Sequence, residues 1–545
     1  MRTKKFFAVI LMFCIVSLSL FSVFQVSAKT FNEQINTQTS IIENIKNEQK
    51  QFSINYKMDF YNFMNTPEYW TVDYKVILNC DIDVDDIVFE PIKKFSGTFD
   101  GCGHTISNFV IQDSHKSLEN FEIGFIETLD GFAEFKNVIF DNYTIKDKGS
   151  SLTWSTSYQS AGFVLTNHGT ISNIKFKNSN MDKINNNIIL KNSNSAGFVL
   201  RNEKDGIIEN CHIENMSVKD TNIKSGFVGI NYGKITNSST NLSVNNGSNV
   251  GGFVSENSGI IEKCSFKGRV AANKYIGGFV SLNKNTINDC TAEVDDITGS
   301  NYVGGFAYRN DAGVYNCNVK GIVEATTDIK NNICGGFVVE NNGTIEGCSE
   351  EGEVTGKNCA GGFCAINRCD IHDSKSKCTV IADTEDQTAC AGGFVGRNEK
   401  GNISNCTSLG FDPNEVDLTN CSLAKAESSR GIAKAGGFVG VNDANITSSE
   451  AKGYVYVSGG ATHPDSGCGG FVGTNDKNGY ICNCYAETKI RTTNNIEGSG
   501  FVGEALNRSV IKNSQCKTMR VSGVVAKFCY LKELEAVIDD NCHAI

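Results

Sequence analysis

The sequence predicts an all-β chain, a parallel β-helix (β-solenoid) of about thirteen coils, and three observations predict it. First, one phrase recurs throughout. Its fullest copy runs from Ala391 to Cys406, AGGFVGRNEKGNISNC, and its Gly-Phe pair returns at Phe163, Phe198, Phe227, Phe253, Phe279, Phe306, Phe337, Phe363, Phe394, Phe438, Phe471 and Phe501, with a degenerate copy at Gly124-Phe125. The spacings of 35, 29, 26, 26, 27, 31, 26, 31, 44, 33 and 30 residues are those of stacked units, none able to bury a core alone. Second, glycine pairs head most copies and β-branched residues dominate, and both disfavour helix. Third, turn-forming residues fall at fixed offsets inside each copy.

Four residues after each Phe stands Asn, at Asn167, Asn202, Asn231, Asn257, Asn283, Asn310, Asn341, Asn367, Asn398, Asn442 and Asn475; the last copy has Ala505. Asn tolerates the left-handed conformation and bonds its own backbone, so these positions are read as a first corner. A second corner follows the Ile of the motif. It holds Asn173, Asn210, Asn237, Asn316, Asn405, Asn483 and Asn513, with Asp289, Asp373 and Gly347 as variants and Lys263 and Ser448 as departures. One residue on is a small side chain, usually Cys: Cys211, Cys264, Cys290, Cys317, Cys348, Cys406 and Cys484, with Ser238, Ser374, Ser449 and Ser514 in the same slot. Ile and Cys three apart cannot share a face of a flat strand, so a kink at the corner residue must turn both inward. Each repeat thus reads strand, corner, strand, corner, strand, variable loop, and the Phe and Asn columns are read as architecture. Coils stacked at about 4.8 Å make a rod of about 60 Å.

In chain order, residues 1–28 read as a signal peptide: Arg2, Lys4 and Lys5, an apolar run from Phe6 to Phe24, and a small-residue site at Val26-Ser27-Ala28. Its removal would take the net charge from −11 to −14 by deleting three cations, and an acidic rod repels nucleic acid and anionic membrane. Residues 29–66 read as an N-terminal helical cap, with Ile41, Ile42 and Ile45 at helical spacing. Residues 67–160 read as entry coils, including the turn signals Asp100-Gly101 and Cys102-Gly103. Residues 161–520 are the repeats. Residues 521–545, with Leu531 to Ile538 patterned as a short amphipathic helix, read as a C-terminal cap. Two stretches are candidate binding loops: Thr153–Tyr158, holding Trp154, and the insertion Gly410–Lys434.

The phrases GGFVGxN and IxNC resemble the GLUG-motif repeat, a family of secreted and surface bacterial β-solenoids found in filamentous-haemagglutinin-like adhesins and in the non-catalytic parts of IgA-specific proteases. The resemblance covers roughly residues 160 to 515; here Phe stands where the family usually has Leu, and Cys often where it has Ser. It implies a secreted or cell-surface, adhesin-like binding or structural module with no catalysis, no cofactor, and an extracellular ligand, glycan or protein.

Chemistry is sparse in the sequence. The histidines at 104, 115, 168, 212, 372, 463 and 543 show no metal-ligand spacing. Asp81, Asp83, Asp85 and Asp86 carry oxygen ligands but lack the calcium-loop glycine and terminal Glu. The run Pro464–Gly470 is a repeat junction. The alternative reading, a polysaccharide lyase or glycoside hydrolase, needs carboxylates gathered on one face; Asp289, Asp295, Asp296 and Glu324 are the loose candidates, and no catalytic, cofactor or metal set is named. Cys264, Cys290, Cys317 and Cys348 are expected as buried free thiols packing as small hydrophobes. Cys334, Cys359, Cys364, Cys369 and Cys390, expected near turns, are the better disulfide candidates.

Overall fold

The computed structural model describes residues 48–544, leaving out 86, 114–119, 148–156, 183–192, 219–222, 246, 328–331, 411–422, 460–464, 494–495, 523, 527 and 532–535. The expected signal peptide, the helix at Ile41–Ile45, Trp154 and residues 411–422 of the 410–434 insertion lie outside these residues.

One coil shows the plan. After Phe279 comes a strand, Val280–Asn283, then Ile287–Asn288, then a left-handed residue at Asp289 (φ 54°), then a long strand Thr291–Gly299, and last a short strand Val303–Gly304 before Phe306. The next coil lies on it in parallel register: Val280 beside Ala307, Asn283 beside Asn310, Ile287 beside Val314 and Val303 beside Cys334. Repeated along the chain, these strands build three long faces: a Val-to-Asn sheet of 15 strands, a glycine-bearing sheet of 14, and a long face of 33 strands holding both the Ile strands and those after the Cys slot. In the first coils part of the long face separates as a five-stranded sheet. Among the described residues about 60% are in strands and 3% in helix, a parallel β-solenoid.

The Val-to-Asn sheet counts two coils more than the sequence suggested. One is added before the degenerate Phe125 copy, at Ile92–Phe95, and one at the far end, at Cys529–Leu531. At that end strands stand in the segment read as a cap: Val524–Ala526, Cys529–Leu531, Val537–Ile538 and His543–Ala544 each pair in parallel with the coil before. Phe528 extends the Phe column; residues 532–535, the middle of the expected helix, lie outside the described residues.

At the near end the structure begins with a strand, Lys50–Ile54, in register with Tyr74–Leu78, inside the segment read as a cap. The helix there is Lys57–Asn65. Its apolar residues at i, i+3 and i+4 make one buried face. Phe60 meets Phe89 and Phe109 at ring-centroid distances of 5.7 and 5.8 Å, and Phe63 meets Phe99 at 5.4 Å. The helix therefore closes the open end of the core, as a solenoid cap must.

The core is a set of columns. From Phe163 to Phe528 successive rings stack with centroids 4.6–5.4 Å apart. Each fully buried Phe contributes about 1.5–3 kcal/mol from surface removed from water. The glycine pair before Phe306 is a matter of space: a Cβ on Gly304 would lie 2.0 Å from the Ala307 carbonyl oxygen, and one on Gly305 would lie 1.9 Å from the Gly336 carbonyl oxygen of the next coil.

Candidate functional site

The Asn column is buried and continuous. Each side-chain amide donates from Nδ2 to Oδ1 of the next coil's Asn, ten bonds of 2.7–3.0 Å from Asn167 to Asn475. The column is architecture, as the sequence suggested, but by another device. None of the eleven residues is left-handed; each sits at the end of a strand and serves its neighbours' amides. Left-handed backbone belongs to the second corner, where every residue from Asn173 to Asn513 has φ between 42° and 66°, the departures Lys263 (53°) and Ser448 (49°) included.

The left-handed corner aims the next N–H along the rod. In the Cys slot the N–H of Cys264 meets Cys290 Sγ at 3.4 Å, that of Cys290 meets Cys317 Sγ at 3.4 Å, and that of Cys317 meets Cys348 Sγ at 3.3 Å. Each thiol in turn donates to the carbonyl two residues back, at 3.1–3.3 Å. Serine fills the slot in the same way: Cys348 N–H to Ser374 Oγ is 3.2 Å, and Ser374 Oγ donates to the His372 carbonyl at 2.7 Å. The expectation of free buried thiols holds, but from Cys211 onward they are hydrogen-bonding groups rather than mere hydrophobes, a role Cys and Ser share; in the first coils Val138 and Ile174 fill the slot instead.

The expected disulfide candidates are free thiols as well. Cys334, Cys359, Cys364 and Cys390 are not in reorientable loops; they lie on strands and are buried. Cys359 and Cys390 are register partners and close a small apolar cluster with Val441.

The acidic candidates do not converge. Asp289 is an exposed corner, Asp295 is exposed on the long face, Asp296 pairs with Arg269 at 3.1 Å, and Glu324 stands a coil further on. Near the entry, Asp81 accepts from His104 Nδ1 (3.1 Å) and from the Thr105 N–H (2.9 Å), which hold its carboxyl below the usual range. Asp83 caps the Asp85 N–H (3.0 Å), and Asp85 pairs with Lys57. These carboxylates fasten turns to one another.

Two features escaped the sequence reading. The first is Glu350, buried in the core. It occupies the inward column Phe266, Ala292, Val319, Glu350, Ser376, Ser408. Burial pushes its carboxyl up to about 8, against hydrogen bonding from Cys378 and Ser376, so it is protonated at neutral pH. Ser376 Oγ lies 3.0 Å from Glu350 Oε2 and 3.0 Å from the Gly393 carbonyl oxygen. One hydroxyl proton cannot serve two acceptors; both bonds form when the carboxyl donates to Ser376 and Ser376 donates to Gly393. The signal was available: two residues after the Cys slot the three preceding coils carry Phe266, Ala292 and Val319, and no other coil carries a charge there.

The second is a cleft where the glycine sheet meets the Val-to-Asn sheet, a cavity of about 270 Å³ walled by Gln159, Asn194, Arg201, Lys224, Asn249, Glu256 and Tyr308 among others. Beyond it Tyr275, Tyr302 and Tyr308 contact one another at 4.8–5.6 Å between ring centroids. Tyr275 and Tyr302 both lie four residues before a motif Phe, a coincidence that alignment of the copies would have exposed.

Residues 387–412 match the family model described as the GLUG motif. No match was found among curated proteins or among solved structures. The matched stretch contains Gly393, Phe394, Val395, Asn398, Ile403, Asn405 and Cys406, one member of every column described above. Residues 387–412 thus carry the GLUG motif, and the motif residues there belong to the frame of a parallel β-solenoid.

Proposed function

We propose that this chain is an exported, non-catalytic, adhesin-like rod that presents a binding surface to an extracellular ligand, a glycan or a protein. The observation that supports the reading is a strip beside the cleft, three residues after each Phe. There Arg201, Ile230, Glu256, Leu282, Arg309 and Glu340 follow one another in register, one per coil. The frame repeats while this strip changes at every step, which is how repeat folds carry recognition. Its charged groups are already paired with neighbours: Arg201 with Glu203 (2.7 Å), Glu256 with Lys284 (2.6 Å) and Arg309 with Asp311 (2.7 Å). Such pairs suit recognition better than the poised acid and base of a glycoside hydrolase.

The test is a glycan and matrix-protein array probed with residues 29–545, run beside a reducing-sugar assay on the polysaccharides that bind. Retention without sugar release is expected. Release of reducing ends would replace this reading by a carbohydrate-active enzyme, and absence of retention on every surface would overturn the binding role.

A further inference from the structure

The cleft between the glycine sheet and the Val-to-Asn sheet contains polar side chains with no work inside the protein. Gln159, Asn194, Lys224 and Asn249 line it, the first three half-buried and Asn249 exposed, and among the described residues their side chains make no hydrogen bond or ion pair. Lys224 is half-buried. Burial lowers its pKa and the charge of Glu256 opposes that effect, but Glu256 is itself held by the Lys284 ammonium at 2.6 Å. Arg201, on the same wall, is engaged by Glu203. Lys224 is thus the cation of the cleft that no carboxylate contacts among the described residues.

The tyrosines supply the other half of a site. Tyr308 lines the cavity, Tyr275 packs on it at 4.8 Å, and Tyr302 lies 5.3 Å from Tyr275 and nearly parallel to it. Their hydroxyls make no hydrogen bond among the described residues. Tyr275 has φ 58°, in register with Asn249 at 59°. A left-handed aromatic residue is an outlier, and such strain gathers at ligand sites. Here it sets Tyr275 against Tyr308 and Tyr302.

Aromatic faces beside planar amides and phenol hydroxyls match a pyranose, which has an apolar face and a rim of hydroxyls. One coil rises about 4.8 Å, close to the length of one sugar ring, so successive coils can meet successive rings. An extended peptide would seek unpaired strand edges, and the strands flanking this cleft are paired on both sides. We infer that the cleft binds an oligosaccharide bearing carboxylates, with a ring against the tyrosines, hydroxyls on Gln159, Asn194 and Asn249, and a carboxylate on Lys224.

This rests on the binding role proposed above and adds the ligand class. The experiment is titration calorimetry of residues 29–545 with four hexamers: oligogalacturonate and hyaluronan, which carry carboxylates, neutral chitohexaose, and hexaglutamate as a carboxylate without sugar. Binding of at least one acidic sugar is expected, tighter than chitohexaose and hexaglutamate by tenfold or more. Lys224→Met and Tyr308→Ala should each weaken it at least tenfold, while Tyr308→Phe retains it; thermal melts matching wild type show that the variants fold. Failure of both acidic hexamers to bind, equal binding of either control, or undiminished binding by Lys224→Met and Tyr308→Ala would overturn the inference. If array surfaces retain the protein while all four hexamers fail, this inference falls and the binding role stands.

Discussion

Replacing Glu350 with glutamine should remove a large part of the pH dependence of stability. The carboxyl has an ordinary value of 4.5 and is pushed up to about 8 by burial in the core. At about 1.4 kcal/mol per pH unit, that displacement corresponds to about 5 kcal/mol as an upper figure. The sign follows from which state holds the proton. Below pH 4.5 the folded and unfolded chains are both protonated, and the contribution is fully present. Between 4.5 and 8 the unfolded chain ionises while the folded one does not, so stability falls with rising pH, and by about pH 8 the loss is complete. Glutamine keeps the shape and offers an N–H to Ser376 in place of the acid proton. Guanidinium unfolding followed by circular dichroism at pH 5, 6.5 and 8 should give similar midpoints for the two proteins at pH 5. By pH 8 Glu350→Gln should be the more stable by several kcal/mol. A difference that is the same at pH 5 and pH 8 would refute the reasoning, since it would mean that the carboxyl ionises freely in the folded state.

Three further outcomes follow from the columns. Asn398→Leu breaks the bonds from Asn367 (3.0 Å) and to Asn442 (2.9 Å) and should cost about 1–3 kcal/mol; an unchanged melting temperature would contradict the column. Lys263 is exposed with φ 53°, so Lys263→Asn should raise stability by about 0.5–1 kcal/mol, and a lower melting temperature would show that the corner is not strained for lysine. Cys290→Ser should be near neutral whereas Cys290→Val, which leaves the Cys264 N–H without its 3.4 Å partner, should cost about 1–3 kcal/mol; equal melting temperatures would reduce the slot to simple packing. The same thiols should resist iodoacetamide in the folded protein and react once it is unfolded, as peptide mass mapping can read.

The frame was readable because it depends on identity at fixed spacing. Phe, the corner residue and the Cys slot each serve a contact with their own copies, so the repeat itself reported the parallel register and the inward kink between Ile and Cys. What each Asn does was less accessible: Asn398 and Asn405 are the same residue seven positions apart, yet one is an extended donor in a buried column and the other a left-handed corner. Local propensity does not separate those roles; the neighbours in the adjacent coil do. Strands inside the segments read as caps, Lys50–Ile54 and Val524–Ala526, were not anticipated, because stacking on a neighbouring coil offers backbone partners that local pattern does not report. Glu350 and the tyrosine cluster were missed because each becomes visible only when positions outside the motif are aligned coil on coil.

The matched registers have a consequence for how such a protein can change size. Because Phe279 and Phe306 stand at the same point of successive coils, a chain lacking residues 280–306 would pass from Phe279 directly to Ala307 with every column still continuous. The rod would be shorter by one rise, about 4.8 Å. A deletion that ignored this boundary would instead set Asn against Val and a corner against a strand. Length is therefore a counted quantity in this molecule, altered in whole steps, and the lateral surface is rewritten with it: that one step would also remove Tyr302 and Leu282 and bring Glu256 next to Arg309.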